Sequence, residues 1–250
     1  MNGKNFIIIA ATSTIAEAVA IQLASKGSSL YLVGRNESEL QSICNDLKIK
    51  NSNSDQKFFY KSGDLEQDSF CYEISKNSLE NFNKIDGIFL ANGYMPNQKL
   101  SERSEIELSR SVVINSLSSI RILNSFIPYF EKNGGTVAAI TSVAGDRGRS
   151  SNYLYGASKS MLSVFLQGYR SRLNKFNVNV IDFKLGFVRT KMTRNLNTSG
   201  LLWSDPDFIA KKIIYKLKKT NDTVYLPWFW KLIMLIIRFI PEKIFLKIKI

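Results

Sequence analysis

With 250 residues, 44% of them hydrophobic and 22% charged, the chain is sized for one large α/β domain with ample material for a core. It contains no histidine, which excludes Ser–His–Asp and Cys–His nucleophilic sites and any imidazole-ligated metal. Its two cysteines, Cys44 and Cys71, form no pairing motif and fit a reducing cytoplasm, while a formal net charge of +13 favours anionic partners.

The run Phe6–Ala11 is shorter than a secretory core segment and leads straight into a helical pattern, so Asn5–Ala11 reads as a first strand. Ile15–Lys26 follows as a helix, with apolar positions at Ile15, Val19 and Leu23 and Gly27 as its stop. Ser29–Val33 is a second strand and Glu37–Leu47 a second helix. Further strands are predicted at Lys57–Lys61, Ile85–Ala91, Gly135–Thr141 and Asn177–Lys184, with a short last one near Thr223–Leu226. Helices are predicted over Gln67–Asn81, Ser104–Phe130 and Asn152–Lys175. Apolar strands alternating with helices indicate a doubly wound parallel sheet covered on both faces, with ligands at the carboxyl ends of the strands. Residues 1–226 form this domain and 227–250 a carboxyl-terminal appendage.

The first strand–helix turn runs Ala10-Ala11-Thr12-Ser13-Thr14-Ile15-Ala16. A dinucleotide-binding turn normally carries glycines here, so that backbone N–H groups approach a pyrophosphate. Small residues still permit that approach, and the hydroxyls can donate to phosphate; an ordinary turn capped by Thr12 or Ser13 is the alternative. Arg35, just after the second strand, stands where an NAD-selective site usually has an acidic side chain. There it would favour the 2′-phosphate of NADP(H) over NAD(H), or else be a solvated surface arginine.

The segment Thr141-Ser142 through Tyr155-Gly-Ala-Ser-Lys159 carries the chemistry. Tyr155 and Lys159, four apart on a predicted helix, project from one face. A phenol, with a pKa of about 10, is a poor base at neutral pH, and a neighbouring cation favours its phenolate. Ser142 ends the fifth strand, where its hydroxyl could hold a carbonyl oxygen.

These residues resemble the short-chain dehydrogenase/reductase family from about Asn5 to Tyr225. The resemblance implies a Rossmann-like fold, a nicotinamide cofactor, a homo-oligomer and a tetrad of Asn115, Ser142, Tyr155 and Lys159. Tyr155 would be the general acid/base and Ser142 would polarise the carbonyl. Lys159 would lower the phenol pKa and hold the nicotinamide ribose, and Asn115 would position a relay water. Asp64 and Leu65 match the family's adenine contact, and Ala91-Asn92-Gly93 stands where Asn-Ala-Gly usually lies. Gly186, Val188 and Thr190, in Leu185-Gly-Phe-Val-Arg-Thr190, match the segment lining the nicotinamide. The first-turn glycines are replaced, the Asn-Ala order is reversed and Leu185 takes the place of a proline. The Ala-Thr-Ser-x-Ile-Ala turn is similar to a branch that includes the decaprenylphospho-arabinose-forming 2-keto-sugar reductase.

The last fifth, Leu201–Ile250, holds ten Lys/Arg against four Asp/Glu. Within it, Trp228–Ile240 is an apolar run broken by Lys231 and Arg238, too short for the roughly 20 residues that span a bilayer. Its tryptophans, basic stripe and broad apolar face suit a helix lying on an anionic membrane surface, or one packed on the domain or on a subunit. The expected enzyme is therefore cytoplasmic and peripheral on the inner face of the membrane. Its substrate would be a lipid-linked keto-sugar; the alternatives are a soluble ketone or 3-oxoacyl reductase and a non-catalytic cofactor-binding module. Charge placed beside an apolar helix points away from nucleic acid. Lys191–Trp203 is expected to form a mobile lid that sets specificity.

Overall fold

The computed structural model describes residues 1–52, 55–217 and 220–248. Lys218 and Lys219 of the basic tail, and Lys249 and Ile250 at the end of the predicted appendage, lie outside the described residues. The strands are β1 (Asn5–Ile9), β2 (Ser29–Gly34), β3 (Phe58–Ser62), β4 (Gly87–Leu90), β5 (Gly135–Ser142), β6 (Val178–Leu185), β7 (Phe187–Val188), β8 (Trp203–Ser204) and β9 (Thr223–Leu226). The helices are α1 (Thr14–Ala24), α2 (Glu37–Lys50), α3 (Asp68–Asn81), α4 (Gln98–Ser101), α5 (Glu105–Val112), α6 (Ser118–Ser125), α7 (Ile127–Asn133), α8 (Tyr153–Leu173), α9 (Pro206–Leu217), α10 (Phe229–Phe239) and α11 (Glu242–Phe245).

Seven strands form one sheet in the order β3-β2-β1-β4-β5-β6-β9, and every pair is parallel. The all-apolar strands follow from this: in β1, Phe6 and Ile8 enter the core under α1, α2 and α9, while Ile7 and Ile9 enter the one under α3, α6 and α8. The order reverses between β1 and β4, both paired through Ile9 and Leu90, and that switch point opens the crevice where α/β proteins bind ligands.

Several predicted boundaries move for physical reasons. The first strand stops at Ile9 because Ala10 turns into the left-handed region, with φ 57°. The single helix expected over Ser104–Phe130 is three pieces. A π-turn at Val113–Leu117 separates α5 from α6, because Asn92 bonds the Ile114 carbonyl and the Ser118 and Ser119 hydroxyls. Pro128 then sits in the first turn of α7, where its missing N–H is harmless but a continuous helix from α6 would break. Helix α9, whose Ile209, Ile213 and Ile214 cover α1, had no counterpart in the prediction.

The carboxyl-terminal segment is fastened to the domain by one face. Trp230 and Met234 of α10 are buried against Val143. Arg147 donates to the carbonyls of Ile237, Arg238 and Ile240 at the helix end, and pairs with Glu242 at 2.8 Å. The opposite face leaves Trp228, Leu232, Leu235, Ile236 and Phe239 exposed, flanked by Lys231 and Arg238. No helix among the described residues is long and apolar enough to cross a membrane.

Candidate active site

The carboxyl ends of β1 to β6 open into one cleft of about 500 Å³. At its first end lie Ala10, Thr12, Ser13, Thr14 and Ile15, with Gly34 and Arg35 after β2 and Asp64 and Leu65 after β3. Ala10 adopts the backbone conformation that a glycine would take freely, so the turn keeps its shape without the glycine, at about 1–2 kcal/mol. Ser13 occupies the N-cap of α1 yet caps nothing, and its buried hydroxyl has no partner among the described residues. An orphan hydroxyl beside the uncapped first turn of a helix is the donor set a dinucleotide phosphate needs. Arg35 is exposed at the same end. The residues present therefore fit the dinucleotide. Across this end Lys191 approaches Glu39 at 3.6 Å, and its N–H donates to the Thr14 hydroxyl at 3.3 Å.

In the middle of the cleft Tyr155, Ser142 and Lys159 come together. Burial pushes the Tyr155 phenol up to about 12, and a hydrogen bond with the Ser142 hydroxyl opposes the shift. Ser142 also accepts the Ala144 N–H at 3.1 Å, which fixes its side chain at the strand end. Lys159 is only 2% exposed, and its ammonium donates to the carbonyls of Asn92 at 3.0 Å and Ile140 at 3.2 Å. Burial lowers its pKa to about 8, against the pull of Asp182. That carboxylate is itself wholly buried and accepts from Thr141 and Ser163.

The side chains of Asn92 and Asn115 both bond within the protein. The Asn92 side chain turns away from the cleft into the π-turn, leaving its carbonyl to Lys159. Asn115 is fully buried, and its amide grips the Tyr94 backbone, accepting from N–H and donating to C=O, each at 2.8 Å. It thereby shapes the stretch after β4 rather than reaching the cleft wall. Gly93 is confined there: a Cβ would stand 3.3 Å from Met192 and 3.6 Å from the Lys159 ammonium. Ala91, Val188 and Thr190 line the cleft, and Thr190 and Thr193 cap each other's turn.

Gly186 meets an unexpected neighbour. A Cβ on it would fall 1.8 Å from the Trp230 indole nitrogen, so the glycine admits α10 against the cleft floor. Phe187 packs edge-on against Trp230 at 5.0 Å and stacks on Trp203 at 5.1 Å. Sequence reasoning missed this aromatic wall, and with it Tyr94, Met95 and Arg149. A loop residue's burial leaves no periodic signal, so only an arginine placed between Ser142 and Tyr155 could have hinted at one of them.

A doubly wound sheet with Tyr155, Ser142 and Lys159 gathered at the carboxyl end of β5, in the cleft that its switch point opens, defines a nucleotide-dependent oxidoreductase of the α/β class. Residues 4–200 match the family model described as short chain dehydrogenase, and the chain belongs to that family. It is similar to an uncharacterised oxidoreductase of Staphylococcus epidermidis, 26% identical over 219 residues that make up 87% of this chain and 92% of the relative. Among solved structures, levodione reductase superposes with a TM-score of 0.81 at 18% identity, covering 92% of this chain and 98% of its own. An alcohol dehydrogenase from Thermococcus sibiricus, complexed with 5-hydroxy-NADP, gives 0.79 at 23% identity over 89% and 95%.

Proposed function

We propose that the chain is an NADPH-dependent carbonyl reductase in which Tyr155 gives its proton to the carbonyl oxygen as the alcohol forms. The convergence of Tyr155, Ser142 and Lys159 at the end of β5, in one cleft with the orphan Ser13 hydroxyl, carries this reading. The cofactor, when bound, supplies the hydride. Ser142 orients the substrate oxygen towards the phenol. The Lys159 ammonium, fixed by two carbonyls, stabilises the phenolate left after proton transfer. Asn115 acts one step further out, by holding Tyr94 and Gly93 in place. Arg35 receives the 2′-phosphate, a choice of cofactor in keeping with the 5-hydroxy-NADP complex named for the Thermococcus structure.

The substrate we favour is a lipid-linked keto-sugar. One helix carries both supports: α10 packs Trp230 behind the cleft residues Gly186 and Phe187, and its opposite face presents an apolar stripe with Lys231 and Arg238 beside it. That geometry suits peripheral attachment to an anionic bilayer next to the substrate entrance. The enzyme is further proposed to work as a cytoplasmic homo-oligomer.

Cofactor fluorescence and liposome flotation test these points together. NADPH is expected to bind at least tenfold more tightly than NADH, with Arg35→Ser removing most of the difference. Flotation with anionic liposomes, lost in Leu232→Asp/Ile236→Asp, supports attachment; a dimer that the same substitutions dissociate assigns the stripe to a subunit contact. Failure of either cofactor to bind sinks the reductase reading.

A further inference from the structure

Four cations line the cleft; two have protein partners and a third is solvated. Arg35 is exposed at the adenosine end, Lys191 lies against Glu39, and Lys159 donates to two carbonyls. Arg149 differs from all of them. It comes from the loop joining β5 to α8, between Ser142 and Tyr155, and lines the cleft beside them. Its side chain is only 9% exposed. Its buried Nε has no partner among the described residues, and one terminal nitrogen reaches nothing better than the Met234 thioether at 3.7 Å. The nearby carboxylate, Asp146, is already held by Lys184 and by the Tyr225 hydroxyl at 2.7 Å. Burial accordingly lowers the guanidinium pKa, with Asp146 only partly opposing.

A buried guanidinium with no counter-ion in direct contact is expensive to fold around. A planar donor fork is also the group best matched to a carboxylate or phosphate. We infer that Arg149 is the specificity residue for an oxyanion on the substrate, a phosphate ester or a carboxylate, so that the carbonyl compound reduced here is anionic. The inference rests on the reductase reading and narrows it. Phe187, Trp203, Met95 and Leu196 supply apolar walls for the rest of the molecule. The phosphodiester of a lipid-linked sugar would meet both demands, as would a keto acid.

The test uses the full chain saturated with NADPH, so that the cofactor fills its own phosphate sites. Phenyl phosphate, benzoate and benzyl alcohol, alike in size but not in charge, are titrated by calorimetry against wild type, Arg149→Met and Arg149→Lys. Either anion is expected to bind at least tenfold more tightly than the alcohol, and the tighter of the two names the oxyanion. Arg149→Met should erase that preference and Arg149→Lys keep part of it. Without ligand, Arg149→Met should melt higher than wild type, since an apolar chain of similar length replaces an uncompensated charge; a purely structural arginine would give a lower melting temperature. Equal binding of anions and alcohol by wild type, or an anion preference untouched in Arg149→Met, overturns the inference while NADPH binding keeps the reductase reading alive. The wild-type comparison stands even if the variant does not fold. Failure to load NADPH at all overturns both.

Discussion

The centre of the cleft and its two ends are built on opposite terms. At the centre, four buried polar side chains have protein partners: Lys159 on two carbonyls, Asn92 on the π-turn, Asn115 on the Tyr94 backbone, and Asp182 on two hydroxyls. Towards the ends, buried polar atoms stand alone among the described residues: the Ser13 hydroxyl at the start of α1, Arg149 Nε beside the substrate side and the Trp230 indole nitrogen behind Gly186. A satisfied network holds its geometry whether or not a ligand is bound. Orphan donors raise the energy of the empty site and lower it again when a ligand arrives. The protein itself thus sets the reacting geometry, while cofactor and substrate complete the two arms.

The sharpest way to break this division is at its centre. Tyr155→Phe should reduce turnover about 10²- to 10⁴-fold, the range for a lost general acid, while cofactor fluorescence still reports NADPH binding. Residual turnover within tenfold of wild type would move the acid elsewhere. Trp230→Ala attacks the floor. Deleting this buried indole, which packs against Gly186 and Phe187, should lower unfolding stability by about 3–5 kcal/mol in urea melts.

A subtler probe is pH. Lys159 is charged below its depressed pKa of about 8 and neutral above it, whereas the phenol near 12 stays protonated throughout. Reductive kcat/KM should therefore fall as pH rises through about 8, and the fall should disappear in Lys159→Met, whose rate is low at every pH. The same depression has a stability consequence. Between about pH 8 and the ordinary lysine value near 10.4 the unfolded chain binds more protons than the folded one, so this residue's contribution to stability rises with pH across that window. The smallest effect belongs to the cofactor end. Ser13→Ala removes a hydroxyl that bonds to nothing in the described protein, so melting of the unliganded chain should change by less than about 0.5 kcal/mol. NADPH affinity should nevertheless drop roughly fivefold, about the worth of one hydrogen bond. A drop in stability without a loss of affinity would make Ser13 an ordinary helix cap.

The centre was also the legible part. Alternating apolar strands and helices gave the parallel sheet, and a tyrosine four residues before a lysine, thirteen after a strand-end serine, located Tyr155, Lys159 and Ser142. Pattern reasoning is silent where one residue type serves two physical ends. Asn115 has the family's spacing, but its amide is engaged by the Tyr94 backbone. Gly186 looks like a place for close approach to a cofactor, and here the close approach is by an indole. The helix Ser104–Phe130 keeps its apolar period through a π-turn that only long-range bonds from Asn92 create. Arg149 resembles any loop arginine until its burial is known.

Arg147 fastens the end of α10 while Trp230 and Met234 fill the space behind the loop after Ser142. The last stretch of the chain and the loop in front of it are in this way one mechanical unit. In genetic terms, a nonsense codon between Leu226 and Met234 deletes no group placed at the reacting centre, yet it removes packing on which that centre rests. Null alleles should therefore gather in a part of the gene that encodes none of the chemistry.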